Sequence, residues 1–138
     1  MEEENKILAA QFYSEVVNKG EQVAMEKIVS VNFVDHYAPP TAPQGIVGLK
    51  QFLKMVSTAF PDIQVAIEEM IAEKNKVAVR LTVTGTQTGV LMGTIPPGGK
   101  HAVWTGIDII KVENGKITDR WVQRDLLSMM RQIGAIPA

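Results

Sequence analysis

AVWTGIDIIKVENGKITDRWVQR, residues Ala102–Arg124, is the stretch whose reading decides the fold. Asn114-Gly115 at its centre is the strongest short signal for a hairpin, since a two-residue turn needs the positive φ angles these residues tolerate. Ala102–Glu113 therefore reads as a strand and Lys116–Arg124 as its antiparallel partner. On the first strand Trp104, Gly106, Asp108, Ile110 and Val112 share a face and alternate with Thr105, Ile107, Ile109 and Lys111. Asp108 is an acid inside an otherwise apolar strand, which is unusual. On the second strand Ile117, Asp119, Trp121, Gln123 and Asp125 share one parity, and Thr118, Arg120, Val122 and Arg124 the other. Two arginines send the second set towards solvent or a partner subunit. The first set ends in an aromatic, an amide and a carboxylate, the sparing polarity of a ligand pocket.

Upstream of this hairpin the same period of two continues. Ile63–Glu73 is strand-like, Lys74-Asn75 is a turn, and Lys76–Thr86 alternates Val77, Val79, Leu81 and Val83 against Arg80, Thr82, Thr84 and Thr86. Gln87–Lys100, rich in Gly and Pro, reads as a long loop. Further towards the N-terminus the period becomes 3.6. Glu3–Asn18 carries Ile7, Leu8, Phe12, Val16 and Val17 at helical spacing and stops at Gly20. A short helix follows over Glu21–Ile28, then an extended Asn32–Tyr37 and the rigid loop Ala38–Pro43. Ile46–Phe60 is a third helix with an apolar stripe of Ile46, Leu49, Phe52, Leu53, Val56 and Phe60. Asp125–Gln132 closes the chain as a helix stopped by Gly134 and Pro137. Helices followed by antiparallel strands make an α+β fold, without internal repeat or linker, hence one domain over residues 1–138. Helices laid on one face of a strongly curved sheet leave a conical cavity at its open end.

Composition narrows the function classes. The chain has 138 residues, no cysteine, and 14 basic against 15 acidic residues, for a net charge of −1. Disulfides, thiolate zinc sites and thiol nucleophiles are excluded. His36 and His101 lie outside any metal-ligand spacing, so no metal is expected. Without a basic block, no nucleic acid or anionic membrane is expected as a partner. No apolar run approaches the ~20 residues of a membrane span, and the acidic N-terminus is unlike a signal peptide, so a cytoplasmic protein is expected. GTQTG lacks the lysine and spacing of a phosphate loop.

Six blocks carry a family resemblance: FVDH at Phe33–His36, AFPD at Ala59–Asp62, GTQTG at Gly85–Gly89, IPPGGK at Ile95–Lys100, DIIKVENGKITDRW at Asp108–Trp121 and RQIG at Arg131–Gly134. In this order they resemble the SnoaL-like polyketide cyclases over almost the whole chain. The resemblance implies the nuclear transport factor 2-like cone shared with ketosteroid isomerases and limonene-epoxide hydrolases. It implies a homodimer, no cofactor, and ring closure of a hydrophobic carbonyl compound by aldol condensation. The family's acid/base, four residues after the tryptophan of the last strand, corresponds to Asp125, and Asp108 to the acidic oxyanion donor of the isomerases. Where family members usually read GTH, this chain has Gly85-Thr86-Gln87, so an amide stands in for the imidazole.

Each candidate has a structural alternative. Asp125 is the expected catalytic residue, yet it directly precedes a helix, and Asp is a preferred N-cap. Expected around the substrate are His36, Asp108, Gln123, Gln87, Trp104, Trp121 and Tyr13. His36 fits the pocket mouth or an anchor for the Ala38–Pro43 loop; Tyr13 fits the pocket or the core. The functions open at this point are a cofactor-free cyclase or isomerase using Asp acid/base chemistry, an epoxide-type hydrolase, and a non-catalytic binding or association module.

Overall fold

Residues 1–137 are described by a computed structural model. The hairpin forms as its sequence predicts. Strands β4 (His101–Glu113) and β5 (Lys116–Arg124) are antiparallel and joined by Asn114 and Gly115 at φ 52° and 73°. β3 (Lys76–Thr86) pairs with β4, and β2 (Gln64–Glu73) with β3. Strand β1 (Val29–Asp35) adds to the other edge, parallel to β5, which gives the order β1-β5-β4-β3-β2. β1 starts and ends earlier than the predicted Asn32–Tyr37. Its end is set by Asp35, whose Oδ1 accepts a hydrogen bond from the Tyr37 backbone N–H at 3.0 Å and turns the chain.

The helices cover one face. α1 (Glu2–Gln11) continues into a π-helical segment, Phe12–Asn18, that buries Phe12, Tyr13 and Val16. Asn18 closes this segment onto β2: its side chain accepts from the Val65 N–H at 2.7 Å and donates to the Val65 carbonyl at 3.0 Å, like a neighbouring strand. α2 (Gln22–Ile28) leads into β1, α3 (Gly45–Ala59) follows the Pro-rich loop, and α4 (Leu126–Gln132) follows β5. Gly45 begins α3 at φ 73°, and a Cβ there would lie 2.5 Å from the Val31 carbonyl oxygen, so only glycine lets the helix approach β1. This α+β architecture, helices on a curved and mainly antiparallel sheet, agrees with the sequence reading.

One part of the alternation is corrected. On β4 the inward set is as predicted, with Trp104, Asp108, Ile110 and Val112 buried. On β5 it is inverted. Ile117 pairs with Val112 and Asp119 with Lys111, so Thr118 is one extra residue, a bulge. A single extra residue exchanges the two faces of everything that follows it. Ile117 points inward, and beyond the bulge Arg120, Val122 and Arg124 do so, while Trp121 and Gln123 turn to the outer face.

Candidate active site

Between the sheet, α3 and the Pro-rich loop lies a cavity of about 630 Å³, within the range that holds a drug-sized molecule. The stripe of α3 lines it through Leu49, Phe52, Leu53 and Val56, with Leu49 and Leu53 also packed into the core. Trp104, packed against Phe60 at 5.2 Å between ring centres, forms the floor with Val83 and Met129. Leu91 and Met92, from the loop between β3 and β4, close one side. These walls follow from the apolar faces of α3, β3 and β4.

Against them stands one polar wall. Arg120 is 3% exposed and donates from Nη2 to Asp35 Oδ2 at 2.7 Å. Asp35 and Arg120 are register partners across the parallel β1–β5 pair, so the backbone itself brings them together. The guanidinium also lies over Phe52 and Phe12, at 5.2 and 5.8 Å from the ring centres. Arg124 makes a two-pronged contact with Asp108: Nη1 to Oδ1, and Nη2 to Oδ2 at 3.0 Å. Tyr13 Oη donates to the same Oδ2 at 2.5 Å. Gly106, one inward position before Asp108, makes room for this arrangement; a Cβ there would lie 2.7 Å from Arg124 Cδ.

Protonation follows from these contacts. Burial first, and the adjacent Asp108 second, push the Tyr13 phenol well above its ordinary value, so it remains a donor. Burial works against the Arg124 charge, but the hydrogen bonds and charge of Asp108 outweigh it and hold the guanidinium protonated. Burial also raises Tyr37, which lines the cavity beside Asp35. Asp108 accepts from Arg124 and Tyr13 on both oxygens, so its contacts are those of an acceptor rather than of the oxyanion donor that the resemblance implied.

Of the residues expected around the substrate, the structure brings together Tyr13, Asp108 and Trp104. The others lie elsewhere. Asp125 is exposed and caps α4, its Oδ1 accepting from the Ser128 N–H at 3.1 Å, outside the cavity lining. His36 stacks on Trp121 on the outer side of the sheet, ring centres 4.5 Å apart, with Nε2 2.9 Å from Asp119. Gln123 is exposed on that side. Gln87 is fully buried as a peg for the loop: its amide N–H groups reach the carbonyls of Gly89, Ile95 and Pro96 at 3.1–3.3 Å. Sequence reasoning missed Asp35, Arg120 and Arg124. The two arginines were hidden by the bulge. Asp35 had a signal: it shares strand parity with Phe33, a buried residue two positions earlier. Among the described residues no group of His, Asp and Glu has the spacing of a metal site, and no helix is long and apolar enough to cross a membrane.

These features define a class: a helix-backed curved sheet around an apolar cavity with one ion-paired wall. The chain belongs to the SnoaL-like polyketide cyclase family, whose model matches residues 7–133. A solved structure of a putative polyketide cyclase from Bacillus cereus is 32% identical, covering 96% of this chain and 82% of that one, with a TM-score of 0.81. TsrD from Streptomyces laurentii shares the fold at a TM-score of 0.88 and 24% identity, over 99% and 98% of the two chains. A putative SnoaL-like polyketide cyclase from Jannaschia sp. does so at 0.86 and 24%, over 99% and 95%. No curated protein matches the sequence. Family membership supports a cyclase-like function in general terms.

Proposed function

We propose that this protein is a cofactor-free cyclase of the aldol type, or an isomerase, acting on a hydrophobic carbonyl compound, with Asp35 as its acid/base. The observation that carries this reading is the polar wall: a carboxylate and two guanidiniums in a cavity whose other lining residues are uncharged and mostly apolar. Asp35 accepts one hydrogen bond on each oxygen, from Tyr37 N–H and from Arg120, which leaves further lone pairs for a C–H proton. In the proposed step Asp35 removes a proton next to a carbonyl, and the electrons move onto the carbonyl oxygen. Arg120 and Arg124 face that developing charge from a site poor in water, where fixed donors act most strongly. The enolate carbon then attacks a second carbonyl of the same molecule, forming the C–C bond, and Asp35 returns its proton to the new alkoxide. The apolar walls fold the chain so that the two carbons meet. In an isomerase the proton returns to another carbon instead.

A non-catalytic binding function draws on the same ion pairs, because both cavity carboxylates already have partners. Exchange of the α-protons of β-tetralone in D2O, followed by NMR, separates the two. Catalysed exchange is expected in the wild type. It should fall by about 10²–10⁴-fold in Asp35→Asn, the contribution of a general base, and stay near wild type in Asp125→Asn. Absence of exchange above buffer would favour the binding function. Loss in Asp125→Asn with Asp35→Asn active would return the base to the α4 cap. Asp125→Asn should also keep its stability, whereas Asp125→Ala should lose about 0.5–2 kcal/mol of cap energy.

A further inference from the structure

Seven methionines carry the only sulfur atoms of this cysteine-free chain. Met25 and Met129 are buried, at 4% and 3% exposure. Met55 and Met92 differ: they are 37% and 49% exposed and both line the cavity, so each meets solvent as well as ligand. Met55 stands on α3 and also borders a shallow groove that it shares with Val90 and Gly93 of the β3–β4 loop. Met92 sits at the tip of a small turn in that loop, where the backbone N–H groups of Leu91 and Ile95 each donate to the other's carbonyl at 2.9 Å. Its φ is 53° and that of Gly93 70°, the pair of positive angles that Asn-Gly or Gly-Gly normally supplies. A long apolar residue gains nothing from such a backbone. What is gained lies in the side chain, which the turn delivers to the cavity mouth.

We infer that Met55 and Met92 form a modification site at which a hydroperoxide turns the cavity mouth from apolar to polar and so lowers its hold on hydrophobic ligands. It rests on the reading that this cavity is the ligand site. In the step the thioether sulfur attacks the peroxide: the O–O bond breaks and an S–O bond forms. The sulfur is oxidised by two electrons, and the peroxide, whose own proton passes to the departing oxygen, is reduced to water or an alcohol. The sulfoxide is a strong acceptor on a side chain that was apolar, and burying it is costly unless a donor meets it. Phe52, Val56 and Leu91, which line the cavity with the two methionines, have no side-chain donor. The sulfoxides therefore turn towards water and leave one edge of a bound ligand against solvent. No thiol is present to take the oxidant first.

Dilute hydrogen peroxide, tandem mass spectrometry of tryptic peptides and titration with the neutral fluorescent ketone prodan test this. Met55 and Met92 should each gain one oxygen while Met25 and Met129 stay unchanged. Bound prodan should slow oxidation at 55 and 92 but not at the exposed Met1, which lies outside the cavity lining. After oxidation the dye should bind about tenfold more weakly or worse, and the two methionine sulfoxide reductases together should restore its affinity. The Met55→Leu/Met92→Leu double variant, which conserves volume, should bind the dye like wild type and keep that affinity after peroxide. Unchanged dye affinity in wild type with both sulfurs oxidised overturns the inference, and this arm needs no variant to fold. Oxidation of Met25 and Met129 as fast as of Met55 and Met92, or an equal loss of affinity in the double variant, overturns it too. Each of these results leaves the catalytic reading standing, whereas a chain that binds the dye but exchanges no tetralone protons sinks the catalytic reading alone. A wild type that takes up no dye at all overturns the inference together with the cavity as its ligand site.

Discussion

Tyr13 carries a pH signature that can be read without a substrate. Its phenol is pushed up from the ordinary 10.0, by burial and then by Asp108. The folded chain therefore keeps this proton at a pH where the unfolded chain releases it. Stabilisation from this group is intact below about pH 10 and declines as pH rises above it. Urea unfolding at neutral and alkaline pH should show a steeper alkaline loss for wild type than for Tyr13→Phe; equal slopes would place the phenol outside the buried network. At neutral pH Tyr13→Phe should cost about 1–3 kcal/mol, since Asp108 loses one of its donors. At this scale the sequence was half legible. Asp108 and Trp104 were visible because an acid and a large ring stood at inward positions of a regular strand, and Tyr13 because of its helical face. His36, Trp121, Gln123 and Asp125 share the outer or terminal positions that a residue-type argument cannot tell from a pocket.

Thr118 shows why element positions were easier to read than element faces. Turns and periods placed β2 to β5 within a few residues, because Asn114-Gly115 and Lys74-Asn75 fix where chains reverse. Nothing in the residues Ile117–Arg124 announces an extra residue, since Thr is at home on either face of a strand. Yet that residue is why Arg120 and Arg124 share the inner face with Ile117. Deletion of Thr118 takes out the extra residue itself, so Asp119 to Arg124 should keep their pairs on β4 and their faces, with Arg120 and Arg124 still at the cavity. The expected result is a folded chain with a cooperative thermal transition, while Thr118→Ala, which keeps the bulge, should stay within about 1 kcal/mol of wild type. A deletion variant that loses its cooperative transition would mean that the bulge does more than add one residue. The Gln87 loop has a related history: its glycines and prolines marked it as irregular, but the buried amide that pegs it is a tertiary contact that composition does not encode.

The molecule as a whole leaves the outer face of its sheet uncovered by its own helices. Ile107 and Ile109 are 54% and 39% exposed there, beside Trp121 and next to Ala78, with Arg80–Glu69 and Lys111 near Asp119 at the rim. An apolar centre inside a rim of both charge signs can pair with a copy of itself about a two-fold axis. We propose a homodimer through this face, which differs from the expected one in that Arg120, Val122 and Arg124 take no part in it. Sedimentation at micromolar concentration should give the mass of two chains for wild type and of one for Ile107→Glu. A wild-type mass of one chain would refute it. The α+β architecture was legible at this scale because it depends on the sum of many periodic positions, whereas the use of each face depends on a few.

The Asp35–Arg120 pair also sets an order of events in time. Its members are 85 residues apart in the chain, and β1 cannot find its parallel neighbour until β5 exists. The helices and the β2–β3 hairpin rely on local contacts and can form early, but joining distant segments is the slow part of folding. On the ribosome, residue 35 must wait for residue 120 with its carboxylate unmatched and its strand edge open. The chemistry-bearing wall is thus among the last parts of the protein to come into being, and a chain interrupted before β5 has helices and strands but no site.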